Sequence, residues 1–278
     1  MTFETVSVSD ALAAIEAQPP LVVSYTNSVT VSSVADTTLY WGGLPVMSED
    51  IREAADLMAM ASACLINMGT VDETGEERMI TGGRAAVKNG APVVFDPVGA
   101  GATAMRTRVA ERIIDEVDVS IVKGNYGEIT ALTGNEAEVR GVESVGEYAE
   151  IAETAMACAR KSDAVVVASG EADIIATSEV AYELESGDPM MGRFVGSGCL
   201  LGVTLATFAG GLGTDRALDA AVAGTAGFGL VGERTAEQNT WNGPATYQHA
   251  FLDSIANLDR DQAASMDLDE RLSLVAEA

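Results

Sequence analysis

Apolar runs along this chain alternate with segments in which apolar residues recur at helical spacing. Short apolar runs bounded by turn residues are typical of buried strands, whereas helical spacing predicts amphipathic helices. The predicted strands are 21–25, 46–47, 64–68, 93–95, 119–122, 164–168, 173–177 and 180–184. The predicted helices are 9–17, 29–41, 49–60, 76–89, 104–116, 144–161, 199–211, 215–238 and 244–257.

The alternation of strands and helices predicts repeated right-handed βαβ crossovers, and therefore a mainly parallel sheet covered on both faces. The last two predicted strands are expected to pair as a hairpin. We expect one three-layer α/β/α domain over residues 1–258, followed by an acidic tail at 259–278. The helix at 49–60 is predicted to bury a stripe made of Ile51, Ala54, Ala55 and Met58.

The charge of the chain excludes several classes of partner. With 42 acidic and 16 basic residues the formal net charge is −26, so nucleic acid would be repelled. We interpret this acidic surface as an adaptation to high salt, which screens the self-repulsion. No apolar run is long enough to span a bilayer, and the first four residues lack the basic flank of a signal peptide. A cytoplasmic protein without a membrane partner is expected.

The cysteines and the histidine limit which kinds of disulfide, metal and catalytic site are expected. Cys64, Cys158 and Cys199 lie far apart without metal-type spacing, so neither a disulfide framework nor a zinc site is predicted. His249 is the only histidine in the sequence. A Ser–His or Cys–His pair would therefore require His249 to fold onto the site.

The strongest chemical signal is a Gly-x-Gly turn that leads into an apolar helix. Gly196 and Gly198 permit a turn in which the backbone N–H groups from Gly196 through Ser197 and Gly198 form an anion hole at the helix N-terminus. Cys199 falls on the first helical turn, where the helix dipole is expected to lower its pKa and favour the thiolate. The alternative is that the glycines are incidental and Cys199 is a small buried hydrophobe.

Two further groups of polar residues follow predicted strands. Asp96 ends one strand and precedes a glycine-rich loop, which suits backbone that approaches a ligand. Lys123, one of three lysines, directly follows another predicted strand and precedes Asn125 and Glu128. The Asn/Glu pair, three residues apart, either helps to hold hydrated Mg²⁺ beside nucleotide phosphates or forms a helix capping box.

The N-terminal half contributes two weaker candidates. Asn27 follows the first strand at its carboxyl end, the edge where parallel sheets bind ligands, but it is equally explained as a turn residue. Met47 ends the short second strand near the same edge, where a methionine is more often core filler.

These motifs, in this order, resemble those of the ribokinase-like superfamily. They are Asp96-Pro97-Val98-Gly99-Ala100-Gly101, Gly124-Asn125-x-x-Glu128 and Gly196-Ser197-Gly198-Cys199. The sugar kinases of this superfamily carry Asp at the position of Cys199. Because this chain has cysteine there, it most resembles the hydroxyethylthiazole kinase family within the superfamily. Thr26-Asn27 and Pro45-Val46-Met47 also look like N-terminal motifs of that family. The resemblance covers about residues 10–258.

The resemblance implies a ribokinase-like fold and ATP-dependent phosphorylation of the hydroxyl of 4-methyl-5-(2-hydroxyethyl)thiazole, with Mg²⁺, in thiamine diphosphate synthesis or salvage. It implies a homotrimer whose substrate pocket lies at the subunit interface. By the same resemblance, Cys199 is the catalytic residue. The implied contacts are Met47, Gly196 and Asn27 with the thiazole, Lys123, Ser169 and Asn125 with ATP, and Asp96 and Glu128 with the metal.

Three residues depart from the usual pattern of the family, and three other functions are alternatives to the one that the resemblance implies. The family usually carries Arg where this chain has Lys123, and Thr where it has Ser169 and Val195. Lysine keeps the charge of arginine but loses the bidentate fork. The other functions are a kinase of another small alcohol such as a hydroxymethylpyrimidine, a nucleotide-dependent dehydratase on the same fold, and a thiazole- or nucleotide-binding protein with little turnover.

Overall fold

The computed structural model describes residues 6–134, 148–266 and 268–278. Its strands are β1 Leu21–Tyr25, β2 Leu44–Met47, β3 Ala63–Asn67, β4 Val93–Asp96, β5 Ile121–Asn125, β6 Val165–Ser169, β7 Asp173–Ala176, β8 Val180–Leu184 and β9 Leu272–Glu277. They form one sheet in the order β2-β1-β3-β4-β5-β6-β7-β8-β9. The pairs from β2 to β6 are parallel, and those from β6 to β9 are antiparallel.

Helices cover both faces of this sheet. They are α1 Val8–Ala17, α2 Val31–Tyr40, α3 Ala54–Met58, α4 Glu73–Lys88, α5 Ala104–Glu116, α6 Tyr126–Leu132, α7 Tyr148–Ser162, α8 Ser197–Leu212, α9 Ala217–Gln238, α10 Pro244–Ala256, α11 Arg260–Ala264 and α12 Leu268–Arg271. One face carries α1, α2 and α8 to α11, and the other carries α3 to α7. This arrangement confirms the predicted three-layer α/β/α fold with a mainly parallel sheet. None of the described helices is both long and apolar enough to cross a bilayer.

The central strands supply two hydrophobic cores because successive side chains point to opposite faces of a sheet. In β3, Leu65 packs into the core beneath α8, whereas its neighbour Ile66 packs into the core beneath α4. In β4, Val94 packs into the same core as Leu65, and Phe95 packs into the same core as Ile66. Burial on both faces explains why these strands read as continuous apolar runs instead of alternating ones.

The helix predicted at 49–60 is wrong in length and in its buried stripe. A 3-10 helix over Ile51–Glu53 precedes the five-residue α3, and the side chain of Asp50 accepts the N–H of Arg52 at its start. Because a 3-10 turn has a tighter period than an α-helix, Ile51 rotates away from the core and is exposed. Ala54 and Met58 are buried as predicted, whereas Ala55 is exposed.

The residues after 258 add secondary structure at one edge of the fold. They contain α11, α12 and β9, and β9 pairs with β8 as an antiparallel edge strand. The pattern of short helical turns before an edge strand leaves no long periodic signal in the sequence. In the helix predicted at 144–161, residues 144–147 lie outside the described residues.

Candidate active site

The N-terminus of α8 faces the carboxyl ends of the parallel strands. Its N-cap, Gly196, has a φ of +93°, a backbone conformation that favours glycine. A Cβ at Gly196 would lie 2.4 Å from Cγ2 of Thr30, and one at Gly198 would lie 2.9 Å from Nζ of Lys123. Gly196 is therefore required by its backbone conformation and by the close approach of Thr30, whereas a side chain at Gly198 would displace the tip of Lys123.

A cavity of about 870 Å³ opens in front of this helix terminus. Most of the residues predicted to serve a phosphate, a metal or a nucleotide line it. They are Asp96, Lys123, Asn125, Glu128, Ser169, Gly196, Ser197, Gly198 and Cys199. The structure thus brings together residues from β4, β5, β6 and α8 that are up to about 100 positions apart in the sequence.

The inner end of the cavity contains a buried ion pair. Lys123 lies within β5, not at its exit, and its side chain is only 4% exposed. Its Nζ is 3.6 Å from Oδ1 of Asp96, the last residue of β4. The other carboxylate oxygen of Asp96 accepts a hydrogen bond of 2.7 Å from Nδ2 of Asn67.

Burial and charge act in opposite directions on this pair. Burial raises the pKa of Asp96, and the ammonium of Lys123 opposes that rise. Burial lowers the pKa of Lys123, but the surrounding acidic groups, with Asp96 foremost, raise it above its ordinary value. Lys123 therefore presents a positive charge directly beneath the first turn of α8, where an anion would bind.

Cys199 lies at the third position of α8, partly buried at the same inner end. Burial and the nearby charge of Asp96 raise the pKa of its thiol, and hydrogen bonds from Asn67 and Thr30 oppose the increase. The expectation of a lowered pKa and a favoured thiolate is wrong. The local effect of the helix dipole is outweighed by desolvation and by a carboxylate that is distant in sequence.

Asn125 and Glu128 form a helix capping box at the start of α6. The N–H of Glu128 donates to Oδ1 of Asn125 at 2.9 Å, and the N–H of Asn125 donates to Oε2 of Glu128 at 2.8 Å. Oε1 of Glu128 accepts the N–H of Gly99 at 2.8 Å, which ties the glycine-rich loop after β4 to α6. The structural interpretation of this pair is therefore correct, and the carboxylate of Glu128 still lines the cavity.

Asn27 and Met47 lie outside the residues that line this cavity. Asn27 is buried, and its Nδ2 faces Oγ1 of Thr30 at 2.9 Å and Sγ of Cys199 at 3.5 Å. Met47 is half-buried at the end of β2, in the register position next to Ser24 of β1. Asn27 therefore contacts the thiol directly, whereas Met47 packs at the edge of the sheet.

Two polar residues at this site were missed by the sequence motifs. Asn67 is fully buried between Asn27 and Asp96. Asp173, at the start of β7, lines the cavity, and burial raises its pKa to about 7 against the opposing effects of the Gly170 N–H and Lys123. Asn67 follows the rule that polar residues at the carboxyl ends of parallel strands mark the ligand edge, but neither residue lies in a recognisable motif.

Comparison with known proteins agrees with the fold and the site. The model of the hydroxyethylthiazole kinase family matches residues 12–261. A hydroxyethylthiazole kinase of Natronomonas pharaonis is 61% identical over 254 residues, which cover 91% of each chain. One of Haloquadratum walsbyi is 54% identical over 95% of this chain and 92% of the relative.

A solved structure of a hydroxyethylthiazole kinase protein from Pyrococcus horikoshii OT3 superimposes with a TM-score of 0.85. It is 28% identical and covers 97% of this chain and 99% of its own. More distant solved structures, including a ribokinase-like superfamily protein from Enterococcus faecalis at 12% identity and a TM-score of 0.61, share the fold. On the family match and the identity to its relatives, this chain belongs to the hydroxyethylthiazole kinase family.

Proposed function

We propose that this protein transfers the γ-phosphoryl group of ATP to the hydroxyl of 4-methyl-5-(2-hydroxyethyl)thiazole, in thiamine diphosphate synthesis or salvage. The supporting observation is the cavity in which a helix N-terminus, a buried lysine and two carboxylates converge. The names of the relatives support the choice of substrate. A soluble co-substrate pair of this kind suits a cytoplasmic enzyme.

Phosphoryl transfer to an alcohol depends mainly on positioning and on stabilising charge. The N–H groups of Ser197, Gly198 and Cys199 belong to the first turn of α8, where backbone donors have no partner within the helix. With Nζ of Lys123 beneath them, these donors would bind the oxygens of the transferring phosphoryl group. Gly196 permits the turn that aims the donors at the cavity.

The two substrates are expected to approach this anion site from different sides. Asn125 and Ser169 lie toward the more open part of the cavity, where they suit the ATP side. Gly196, Asn27 and Met47 lie toward β1 and β2 and suit the thiazole side. The hydroxyl would then meet the phosphoryl group beside Cys199.

Asp96 and Glu128 fit a magnesium site that uses few protein ligands. Among the residues that the structure describes, no cluster of three or more His, Cys, Asp and Glu side chains could hold a metal ion. Mg²⁺ at kinase sites keeps several waters and takes one or two carboxylates together with phosphate oxygens. The two carboxylates would hold it with the phosphates of ATP, and the bound ion would neutralise phosphate charge.

Cys199, which lines the cavity on the first turn of α8, would take the proton of the hydroxyl. As the hydroxyl oxygen bonds to the γ-phosphorus, the bond from phosphorus to the β–γ bridging oxygen breaks and ADP leaves. The proton passes from the hydroxyl to the thiolate of Cys199. Because the pKa of this thiol is raised, the thiolate is a minor form, and Cys199 contributes less to the rate than the anion site.

We also expect a homotrimer with the thiazole pocket at the subunit interface. Two valines next to site residues are exposed in the single chain, Val29 at 67% and Val195 at 74%. Large exposed apolar side chains at one location are typical of protein–protein contacts. Light scattering behind a sizing column would give three times the mass of 28.7 kDa, and a monomer at micromolar concentration would contradict it.

The test of the proposed function is release of ADP from ATP with a panel of small alcohols in molar KCl. Hydroxyethylthiazole should give ADP release and a phosphorylated product by mass spectrometry, at a kcat/KM well above that for a hydroxymethylpyrimidine. High salt is included because we expect the surface, with 42 acidic and 16 basic residues, to need it. A preference for the pyrimidine, or binding without product, would refute the proposed substrate.

A further inference from the structure

Two loops at the carboxyl edge of the sheet flank Asp96. Residues 68–70 follow β3, and residues 97–101 follow β4 and include Val98, which lines the cavity. The N–H of Met68 donates to the backbone oxygen of Asp96 at 3.3 Å, and the N–H of Val98 donates to the same oxygen at 2.9 Å. The backbone position of Asp96 therefore depends on both loops.

Arg106, from the first turn of α5, joins these two loops. Its Nη1 donates to the backbone oxygen of Val98 at 2.8 Å and to that of Met68 at 3.1 Å. Its Nη2 donates to the backbone oxygen of Gly69 at 2.7 Å. Because each terminal nitrogen of a guanidinium carries two N–H groups, Nη1 can serve both of its acceptors at once. One side chain therefore ties the loop after β3 to the loop after β4.

A glycine in the second loop packs against this arginine. Gly99 has a φ of +80°, and a Cβ added there would lie 2.9 Å from Cδ of Arg106. The N–H of Gly99 donates to Oε1 of Glu128 at 2.8 Å. The loop that Arg106 holds thus begins directly after one carboxylate of the site, Asp96, and carries the donor that binds the other, Glu128.

We propose that Arg106 is a positioning residue that sets the relative placement of the Asp96 and Glu128 carboxylates by holding together the loops after β3 and β4. Arg106 is not among the described residues that line the cavity, so it acts through these carboxylates and not on a substrate. Its role in turnover rests on the proposed function, because it assumes that the two carboxylates hold magnesium with the phosphates of ATP. Lysine keeps the charge but has one nitrogen, so it cannot reproduce the hydrogen bonds made from two.

The first test is amide hydrogen exchange in the protein alone, followed by NMR. Arg106→Lys keeps the net charge and removes the forked donor. We expect the amide of Gly99 to exchange at least about tenfold faster, because a loop that opens more often exposes the N–H that Glu128 otherwise binds. The amide of Leu65, in the buried strand β3, should keep its wild-type exchange rate.

A matched control separates this effect from the substitution itself. Arg108→Lys makes the same change two residues further along α5, at an exposed residue. It should leave the exchange rate at Gly99 unchanged. A wild-type exchange rate at Gly99 in Arg106→Lys would overturn the proposal. Equal acceleration at Gly99 and Leu65 would also overturn it, because the substitution would then destabilise the whole sheet and not the loop.

A second measurement uses the wild type and covers the case in which Arg106 variants do not fold. Hydrogen bonds from both terminal nitrogens restrict rotation of the Arg106 guanidinium. Its Nη protons should therefore give separate, slowly exchanging NMR resonances, whereas those of the exposed Arg108 should average. Averaged resonances for Arg106 would overturn its contact with the loops. Both measurements use protein without ATP, so they decide this contact even if the proposed function fails.

Kinetics then test the role in turnover. At a fixed ATP concentration, Arg106→Lys should raise the Mg²⁺ concentration for half-maximal rate at least about fivefold, because the two carboxylates are no longer held in place. The KM for hydroxyethylthiazole should change less than about twofold. A loss of folded protein alone would lower the maximal rate without changing the half-saturating Mg²⁺ concentration. An unchanged Mg²⁺ dependence in the folded Arg106→Lys variant would refute the positioning role.

Discussion

The inner and outer ends of the cavity hold their polar side chains in different ways. At the inner end, Asp96, Lys123 and Asn67 are buried, and the side chains of Lys123 and Asn67 both contact the carboxylate of Asp96. At the outer end, side chains bond mainly to the backbone. Glu128 accepts the N–H groups of Gly99 and Asn125, and Asp173 accepts the N–H of Gly170.

The difference predicts how each end responds to substitution. Removing one member of a buried side-chain network costs more free energy, because its hydrogen-bonding partner is left unsatisfied in a medium of low dielectric. A side chain that bonds to an accessible backbone group can be replaced by water at lower cost. We therefore expect large effects on turnover at the inner end and smaller effects, mainly on pH dependence and affinity, at the outer end.

Lys123→Met should give the largest effect. It removes the positive charge beneath the α8 N-terminus, and loss of one charge-stabilising donor lowers kcat by about 100- to 1,000-fold in comparable sites. The decrease in kcat is measured from steady-state ADP release. The control is Lys161→Met, which removes the same charge from an exposed side chain that bonds Glu111 and the Leu132 backbone. Wild-type kcat in Lys123→Met would eliminate Lys123 from the anion site.

Gly196→Ala should give the next largest effect. The alanine would have to adopt a φ of +93° and place its Cβ 2.4 Å from Thr30. We expect about 2 to 4 kcal/mol of destabilisation and at least about a tenfold lower kcat, measured by denaturant unfolding and by ADP release.

Gly213 provides the matched control at the other end of α8. Its φ is +91°, but a Cβ added there would meet no neighbouring atom of the described residues within 4 Å, so Gly213→Ala tests the backbone strain alone. With a ψ of +165°, Gly213 has a conformation that other residues rarely adopt, so the variant should lose about 1 to 3 kcal/mol of stability and keep the wild-type kcat. Equal losses of stability and activity in the two variants would mean that the contact with Thr30 has no part in shaping the anion site.

Cys199→Ala should lower kcat about tenfold and leave the KM for ATP near the wild-type value, because a positioned base contributes little to this reaction. Cys199→Asp should match or exceed the wild type, since a carboxylate is ionised to a greater extent than a thiol of raised pKa. Cys158→Ala removes a thiol from α7, away from the cavity, and serves as the control. Full activity of Cys199→Ala would exclude the thiol as proton acceptor.

Asp173→Asn should give the smallest effect, seen in stability against pH. The pKa of Asp173 rises from 3.8 to about 7 on folding, so the folded state binds more protons than the unfolded state between these values. Stability therefore falls as pH increases from about 4 to about 7. The variant should remove of order 2 kcal/mol of this fall, about half the full linkage value because the side chain is partly accessible.

The measurement is urea unfolding at several pH values, with the exposed Asp56→Asn as the control. Parallel stability curves for the wild type and Asp173→Asn would contradict a raised pKa at this residue. A curve for Asp56→Asn that also flattens would assign the effect to net charge instead of to burial at the cavity.

Much of the fold is predictable from the chain because its strands are buried on both faces. The apolar runs at β1, β3, β4 and β6 identify central strands almost to the residue, and the hairpin of β7 and β8 is confirmed. The short 3-10 helix at Ile51–Glu53 and the edge strand β9 were not predicted. The 3-10 helix is too short to show a period in the sequence, and β9 depends on its pairing with β8.

In the candidate site, too, features set by local contacts are predictable from the sequence and those set by long-range contacts are not. The capping box of Asn125 and Glu128 is visible in sequence because its partners are three residues apart. The pKa of Cys199 and the position of Asn67 depend on Asp96, which only the order of strands brings near. The local helix dipole therefore predicts the wrong direction for the pKa of the Cys199 thiol, and no motif marks Asn67, the amide that contacts Asp96.

The most direct measurement is a crystal structure of the protein with a non-hydrolysable ATP analogue and hydroxyethylthiazole. The γ-phosphate oxygens should lie within hydrogen-bonding distance of the N–H groups of Ser197, Gly198 and Cys199, with Nζ of Lys123 on the same phosphate. The substrate hydroxyl should face Cys199. A γ-phosphate bound elsewhere, with the α8 N-terminus contacting only water, would contradict phosphoryl transfer at the inner end of the cavity.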